Sequence, residues 1–96
     1  MQSAGYRIIE RNKRYAIGEI DILAKDGTTI VLVEVKAGRT GEFGYAYERV
    51  GPQKRRKLLG LAALLEQEYP SAALRIDLVN VDDRGEVLHF VNALTR

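Results

Sequence analysis

Cysteine is absent from the 96 residues, which excludes a disulfide framework and any thiolate zinc site and fits a reducing compartment. Histidine occurs once, as His89, and with no second histidine beside it the residue reads as structural rather than as a zinc ligand. Long apolar runs are also missing: the longest, Leu58 to Leu65, falls far short of the roughly 20 residues a membrane-spanning helix needs. The N-terminus shows no charged start followed by an apolar core and cleavage site, so the expected location is cytoplasmic, with no membrane partner. No internal repeat or low-complexity segment occurs.

What is present suits one domain spanning residues 1–96, with 46 % apolar and 29 % charged residues. The net charge is only +2, but it is segregated. Arg7, Arg11, Lys13 and Arg14 cluster early and Arg49, Lys54, Arg55, Arg56 and Lys57 cluster in the middle, whereas Glu66, Glu68, Asp77, Asp82, Asp83 and Glu86 make the last third acidic. Segregated basic clusters are the electrostatic footprint of nucleic-acid binding. A solvated face is the plainer account of the same charges.

Tyr6 to Glu10 predicts a short first strand, with Arg11 to Ala16 as a polar connection. Gly18 to Lys36 predicts two strands joined at Asp26-Gly27, because Asp-Gly between apolar runs is a strong hairpin signal. The loop from Ala37 to Tyr47 carries three glycines and three aromatics. Phe43, Tyr45 and Tyr47 either stack on bases or pin the loop to the core. Pro52 suits a first helical position, and the helix it opens runs to Tyr69, where Pro70 stops it. Along it Leu58, Leu61, Ala62, Leu65 and Tyr69 recur at steps of three and four, a stripe that covers one side of a sheet and that Lys54 extends. Leu74 to Val81 predicts a buried strand with Asp77 as its unusual member, Asp82 to Gly85 a turn, and Val87 to Val91 a last strand.

A two-residue turn at Asp26-Gly27 sets Leu23 opposite Ile30, Asp21 opposite Leu32 and Glu19 opposite Glu34. By alternation Glu19, Asp21, Leu23, Ile30, Leu32, Glu34 and Lys36 then share one face, and the other face is a plain core of Ile20, Ile22, Ala24, Val31, Val33 and Val35. Carboxylates directly opposed across strands repel, so something must offset them: a divalent cation, or Lys36 alone. Asp21 and Glu34, with the Val35 carbonyl, supply the hard oxygen ligands that magnesium prefers. Lys36 on the same face is placed to orient the attacking water and stabilise phosphate charge, with Glu19 as a further acid. These are the parts for metal-assisted phosphodiester hydrolysis. Four consecutive basic residues, Lys54 to Lys57, oppose the macrodipole at their helix start and so point to an anion there, unless Glu42 or Glu48 offsets them.

The segments Gly18 to Ala24, Val31 to Lys36, Phe43-Gly44, Val50 with Lys54, Arg75-Ile76-Asp77 and His89 to Ala93 together resemble the YraN family of small bacterial proteins. That family belongs to the restriction-endonuclease-like PD-(D/E)xK superfamily, close in core to Holliday-junction resolvases. The resemblance implies an α/β fold with a mixed sheet in the order β-β-β-α-β-β. It implies Asp21 and Glu34 as ligands of Mg2+ or Mn2+, Lys36 as the catalytic lysine, and Glu19 and Lys54 as supporting residues. DNA is the implied partner, bound by Lys54, Arg55, Arg56 and Lys57 and by Arg39 and Tyr45 of the Gly-rich loop. Such proteins resemble one another in an opening helix that this sequence has no room for; its absence predicts an uncovered sheet face and a homodimer through it. A non-catalytic nucleic-acid- or protein-binding module of the same fold, and an assembly domain whose acids are simply paired, are the competing readings.

Overall fold

The computed structural model describes residues 5–38 and 51–94. Its elements are β1 (Arg7–Tyr15), β2 (Gly18–Asp26), β3 (Thr29–Ala37), α1 (Pro52–Glu68), β4 (Leu74–Val81) and β5 (Val87–Leu94), the order β-β-β-α-β-β. They form a five-stranded mixed sheet in sequence order, β1 to β5. Only the β3–β4 pair is parallel. Parallel neighbours need a crossover connection, and α1 lies in it.

The apolar stripe of α1 decides where the core sits. Leu58, Leu61, Ala62 and Leu65 are buried and pack on Ile20, Leu23, Ile30, Leu32, Ile76, Leu78 and Leu94. Each fully buried leucine contributes about 1.5–3 kcal/mol of transfer free energy, and truncating one, Leu61→Ala, would cost about 2–5 kcal/mol once the cavity is included. Pro52 opens the helix as expected, and the Tyr69 N–H closes it on the Leu65 carbonyl at 2.9 Å, just before Pro70. The opposite face of the sheet holds a smaller cluster of Tyr6, Ala24, Val31, Val33 and Val79.

The first strand is longer than the sequence predicts. Residues expected to form a polar connection, from Arg11, continue β1 to Tyr15, and their register runs from Arg11 opposite Ile22 to Tyr15 opposite Gly18. Their polarity is that of an edge strand with exposed side chains, which hydrophobic patterning does not distinguish from a loop. The last strand likewise extends to Leu94, past a bulge where Asn92 adopts φ +53.

The hairpin register corrects the expected one by two residues. Asp26 pairs with Thr29, Lys25 with Ile30 and Leu23 with Leu32, so the turn is Gly27-Thr28. Gly27 has φ +62 and Thr28 is not among the positive-φ residues, a pattern that needs glycine only at the first turn position. Asp26 stays in the strand and bonds Arg75 at 3.1 Å. Because the slip is even, Leu23, Ile30 and Leu32 keep their common face. Glu34 now stands across from Asp21, not from Glu19.

Alternation then fails at Asp21. Ile20 and Leu23 lie three residues apart yet join the same helix-side core, so β2 changes face between them. Ile20 therefore leaves the expected plain core face, and Glu19 is turned to the side away from α1.

A carboxylate pair at the parted end of the hairpin

Regular pairing between β2 and β3 ends at Ile22 opposite Val33. Beyond it the Asp21 carboxylate takes the place of a backbone partner, its Oδ2 accepting the Val35 N–H at 2.9 Å. A strand residue directs its N–H and C=O to the same side, so the Val35 carbonyl opens on the same gap.

Glu34 points toward α1 and is only 6 % exposed. Lys54, in the first turn of the helix, reaches it with an ion pair from Nζ to Oε2. Burial pushes the Glu34 carboxyl above the ordinary carboxylate range, the Lys54 bond opposes that, and interaction with Asp21 adds to the rise. Of the two offsets the sequence suggested, a divalent cation or Lys36, the lysine that pairs with Glu34 is neither: it is Lys54 of α1. Lys36 lies on the Glu34 face, half-buried and in register with Asn80 of β4. Among the described residues it makes no ion pair.

Glu19 is not brought to this pair. It sits opposite Arg14, whose Nε lies 3.6 Å from Glu19 Oε2 on the other side of the sheet. Arg39 and Tyr45 fall outside the described residues. Lys54, Arg56 and Lys57 line a groove of about 610 Å³ together with Gln53 and Ile17, while Arg55 of the same turn lies outside that lining. No acidic side chain occupies the first turn of α1 and Gly51 gives it no side-chain cap, while Lys54 of that turn is paired with Glu34 of β3; Glu42 and Glu48 fall outside the described residues.

Among the described residues no group of three or more His, Cys, Asp or Glu side chains is arranged to hold a metal. Magnesium, however, is commonly held by one or two carboxylates, with waters and substrate phosphate completing the shell. Asp21 and Glu34 fit that donor set, with the Lys54 ammonium paired to Glu34 beside it.

Asn80 escaped the sequence reading, and the role of Asp77 was only hinted at. Asn80 is 3 % exposed, and among the described residues neither polar atom of its amide finds a hydrogen-bond partner. A side chain at Gly38 would lie 3.0 Å from the Asn80 nitrogen, so the glycine leaves the amide its space. The only signal was a polar residue inside an apolar strand. Asp77, flagged for that same reason, is fully buried on the other face of the sheet. It accepts hydrogen bonds from Tyr6 Oη at 3.0 Å, Arg75 Nε at 3.0 Å and the Asn92 N–H at 2.9 Å. His89 Nε2 lies 2.7 Å from it, with the His89 ring edge-on to Tyr6 at 5.4 Å. The lone histidine is a structural partner of this aspartate.

The profile of the uncharacterised protein family UPF0102 matches residues 1–81. A UPF0102 protein of Persephonella marina is 37 % identical over 95 residues, covering 97 % of this chain and 81 % of its own. One of Syntrophus aciditrophicus is 42 % identical over 88 residues, covering 90 % and 69 %. One of Thermodesulfovibrio yellowstonii is 41 % identical over 93 residues, covering 93 % and 80 %. With Asp21, Glu34 and Lys36 inside the matched span, the chain belongs to the UPF0102 family, the family its sequence resembles under the name YraN.

Proposed function

We propose that the chain is a metal-dependent, nuclease-like protein of the cytoplasm that hydrolyses DNA phosphodiester bonds, acting on branched or otherwise structured DNA. The observation that supports this best is the pairing of Asp21 and Glu34 across parted strands, with Lys36 on the Glu34 face and a basic groove alongside. Asp21, Glu34 and the Val35 carbonyl would hold Mg2+ or Mn2+. When bound, such an ion lowers the pKa of water and neutralises charge on phosphate. The chain's own residues supply the rest. Lys36, which makes no ion pair among the described residues, orients the attacking water and stabilises the developing phosphate charge. Lys54 opposes the rise in the Glu34 pKa and, with Arg55, Arg56 and Lys57, binds flanking phosphates. Arg39 and Tyr45 belong to the same proposed DNA contact.

One observation favours a second reading, a nucleic-acid- or protein-binding module without turnover. Lys54 already satisfies Glu34, and no third acid joins the pair among the described residues. Calorimetric titration with magnesium and manganese separates the two: binding to the wild-type chain that is lost in Asp21→Ala supports the nuclease-like reading, and no binding of either ion favours the module. The proposal extends to a homodimer through the sheet face away from α1, where Val35 and Val87 are 38 % and 61 % exposed; a monomer by light scattering would remove it.

A further inference from the structure

The β1–β2 turn ends in Ile17, an isoleucine with 51 % of its surface exposed. A single exposed apolar side chain is ordinary on a protein surface. Ile17 differs in its setting. It lines a groove of about 610 Å³ together with Gln53, Lys54, Arg56 and Lys57, so among the described residues of the lining an apolar tip stands beside three cations. That volume lies in the range of pockets that enclose small ligands.

The tip is also held in place. A side chain at Gly60 would come within 2.9 Å of Ile17 Cδ1, so the absence of one lets the turn rest on the helix. Gly18 makes the same allowance for the stem of Lys57, which lies across it. Ile17 and Lys57 are thus each seated against a glycine, Ile17 on Gly60 of α1 and Lys57 on Gly18 of β2. Lys54 ties the groove to the carboxylate pair through Glu34, so a strand bound in the groove passes beside Asp21 and Glu34.

We propose that this groove recognises DNA at a break in base stacking, such as a nick or a branch point, with Ile17 against the exposed base face and Lys54, Arg56 and Lys57 on the flanking phosphates. Proteins that kink DNA commonly insert isoleucine, leucine or phenylalanine at a step, and insertion costs least where stacking is already interrupted. Basic residues alone bind any backbone. An apolar wedge pinned among them adds preference for discontinuity. The inference rests on the DNA-binding reading above and names the substrate feature that its groove selects.

The test measures fluorescence anisotropy of a continuous duplex, a nicked duplex and a four-way junction sharing one sequence, without metal so that nothing is cut. The wild-type chain is expected to bind the nicked and junction DNAs about tenfold more tightly than the continuous duplex. Ile17→Ser abolishes that ratio, and Ile17→Leu retains it. Thermal melting of each variant shows that the fold is kept, and should the serine variant melt early, Ile17→Asn replaces it. A wild-type chain that binds all three DNAs equally, or an Ile17→Ser variant that keeps the full ratio, overturns the wedge while leaving DNA binding standing. A wild-type chain that binds none of them removes the DNA reading, and the wedge with it.

Discussion

Lys54 of α1 closes an ion pair on Glu34 of β3, a carboxylate whose side chain is 8 % exposed. The pair fastens the basic first turn of the helix to the parted end of the β2–β3 hairpin. Removing Lys54 while keeping Glu34 leaves a buried charge without its partner. Because Lys54 itself is 37 % exposed and water can enter, Lys54→Met is expected to cost about 1–3 kcal/mol, less than a fully buried pair would. Chemical denaturation measures it, and Lys54→Met combined with Glu34→Met should recover most of the loss.

The same pair gives a pH dependence of definite sign. Burial is the main cause that holds Glu34 above its ordinary 4.5, so in that range the folded chain binds more protons than the unfolded one. Stability from this group therefore falls as pH rises from 4.5 through the folded-state value. Glu34→Gln removes the decline. A titration of unfolding free energy from acid to neutral pH in both chains checks it.

Asp77 behaves oppositely. Burial pushes its carboxyl up, but Arg75, the Asn92 N–H and His89 outweigh that and hold it below the ordinary 3.8. Its contribution is complete above 3.8 and is lost as pH falls through the lower folded-state value, leaving pH 5–8 untouched on its account. Asp77→Ala leaves Arg75 paired with Asp26 alone and unfastens β5 at Asn92, and about 3–5 kcal/mol is the expected loss in equilibrium unfolding.

Asn80 carries the reverse expectation for a buried polar residue. Since neither amide atom has a partner among the described residues, Asn80→Leu, which keeps the shape and removes the unsatisfied groups, is expected to raise stability by about 1–3 kcal/mol. Differential scanning calorimetry would show a melting point several degrees higher.

How much of this was legible beforehand depends on what kind of signal each feature carries. The helix and β4 were readable because Pro52, the Leu58 to Leu65 stripe and the apolar run from Leu74 carry their periodicity locally. The end of β1 was not, since an edge strand with polar side chains looks like a loop. For the hairpin, the sequence located the turn but not its centre, because Asp26-Gly27 and Gly27-Thr28 both place glycine where positive φ is needed. The association of Asp21 with Glu34 survived that slip because the shift was even. Glu19 did not, because a face change at Asp21 leaves no mark in a strand of uniform composition. The Lys54 partnership was half visible in its place on the inward stripe; its target depends on tertiary packing alone.

The central claim is that Asp21, Glu34 and Lys36 form a hydrolytic site. Its most direct test incubates end-labelled single-stranded, duplex, flap and four-way-junction DNAs with the wild-type chain, Asp21→Ala and Lys36→Ala, in magnesium or manganese. The account predicts cleavage of branched DNA by the wild-type chain and a loss of at least about a hundredfold in each variant. Cleavage that survives in both variants, or a wild-type chain that binds the metal and the DNA and cuts nothing, would contradict it.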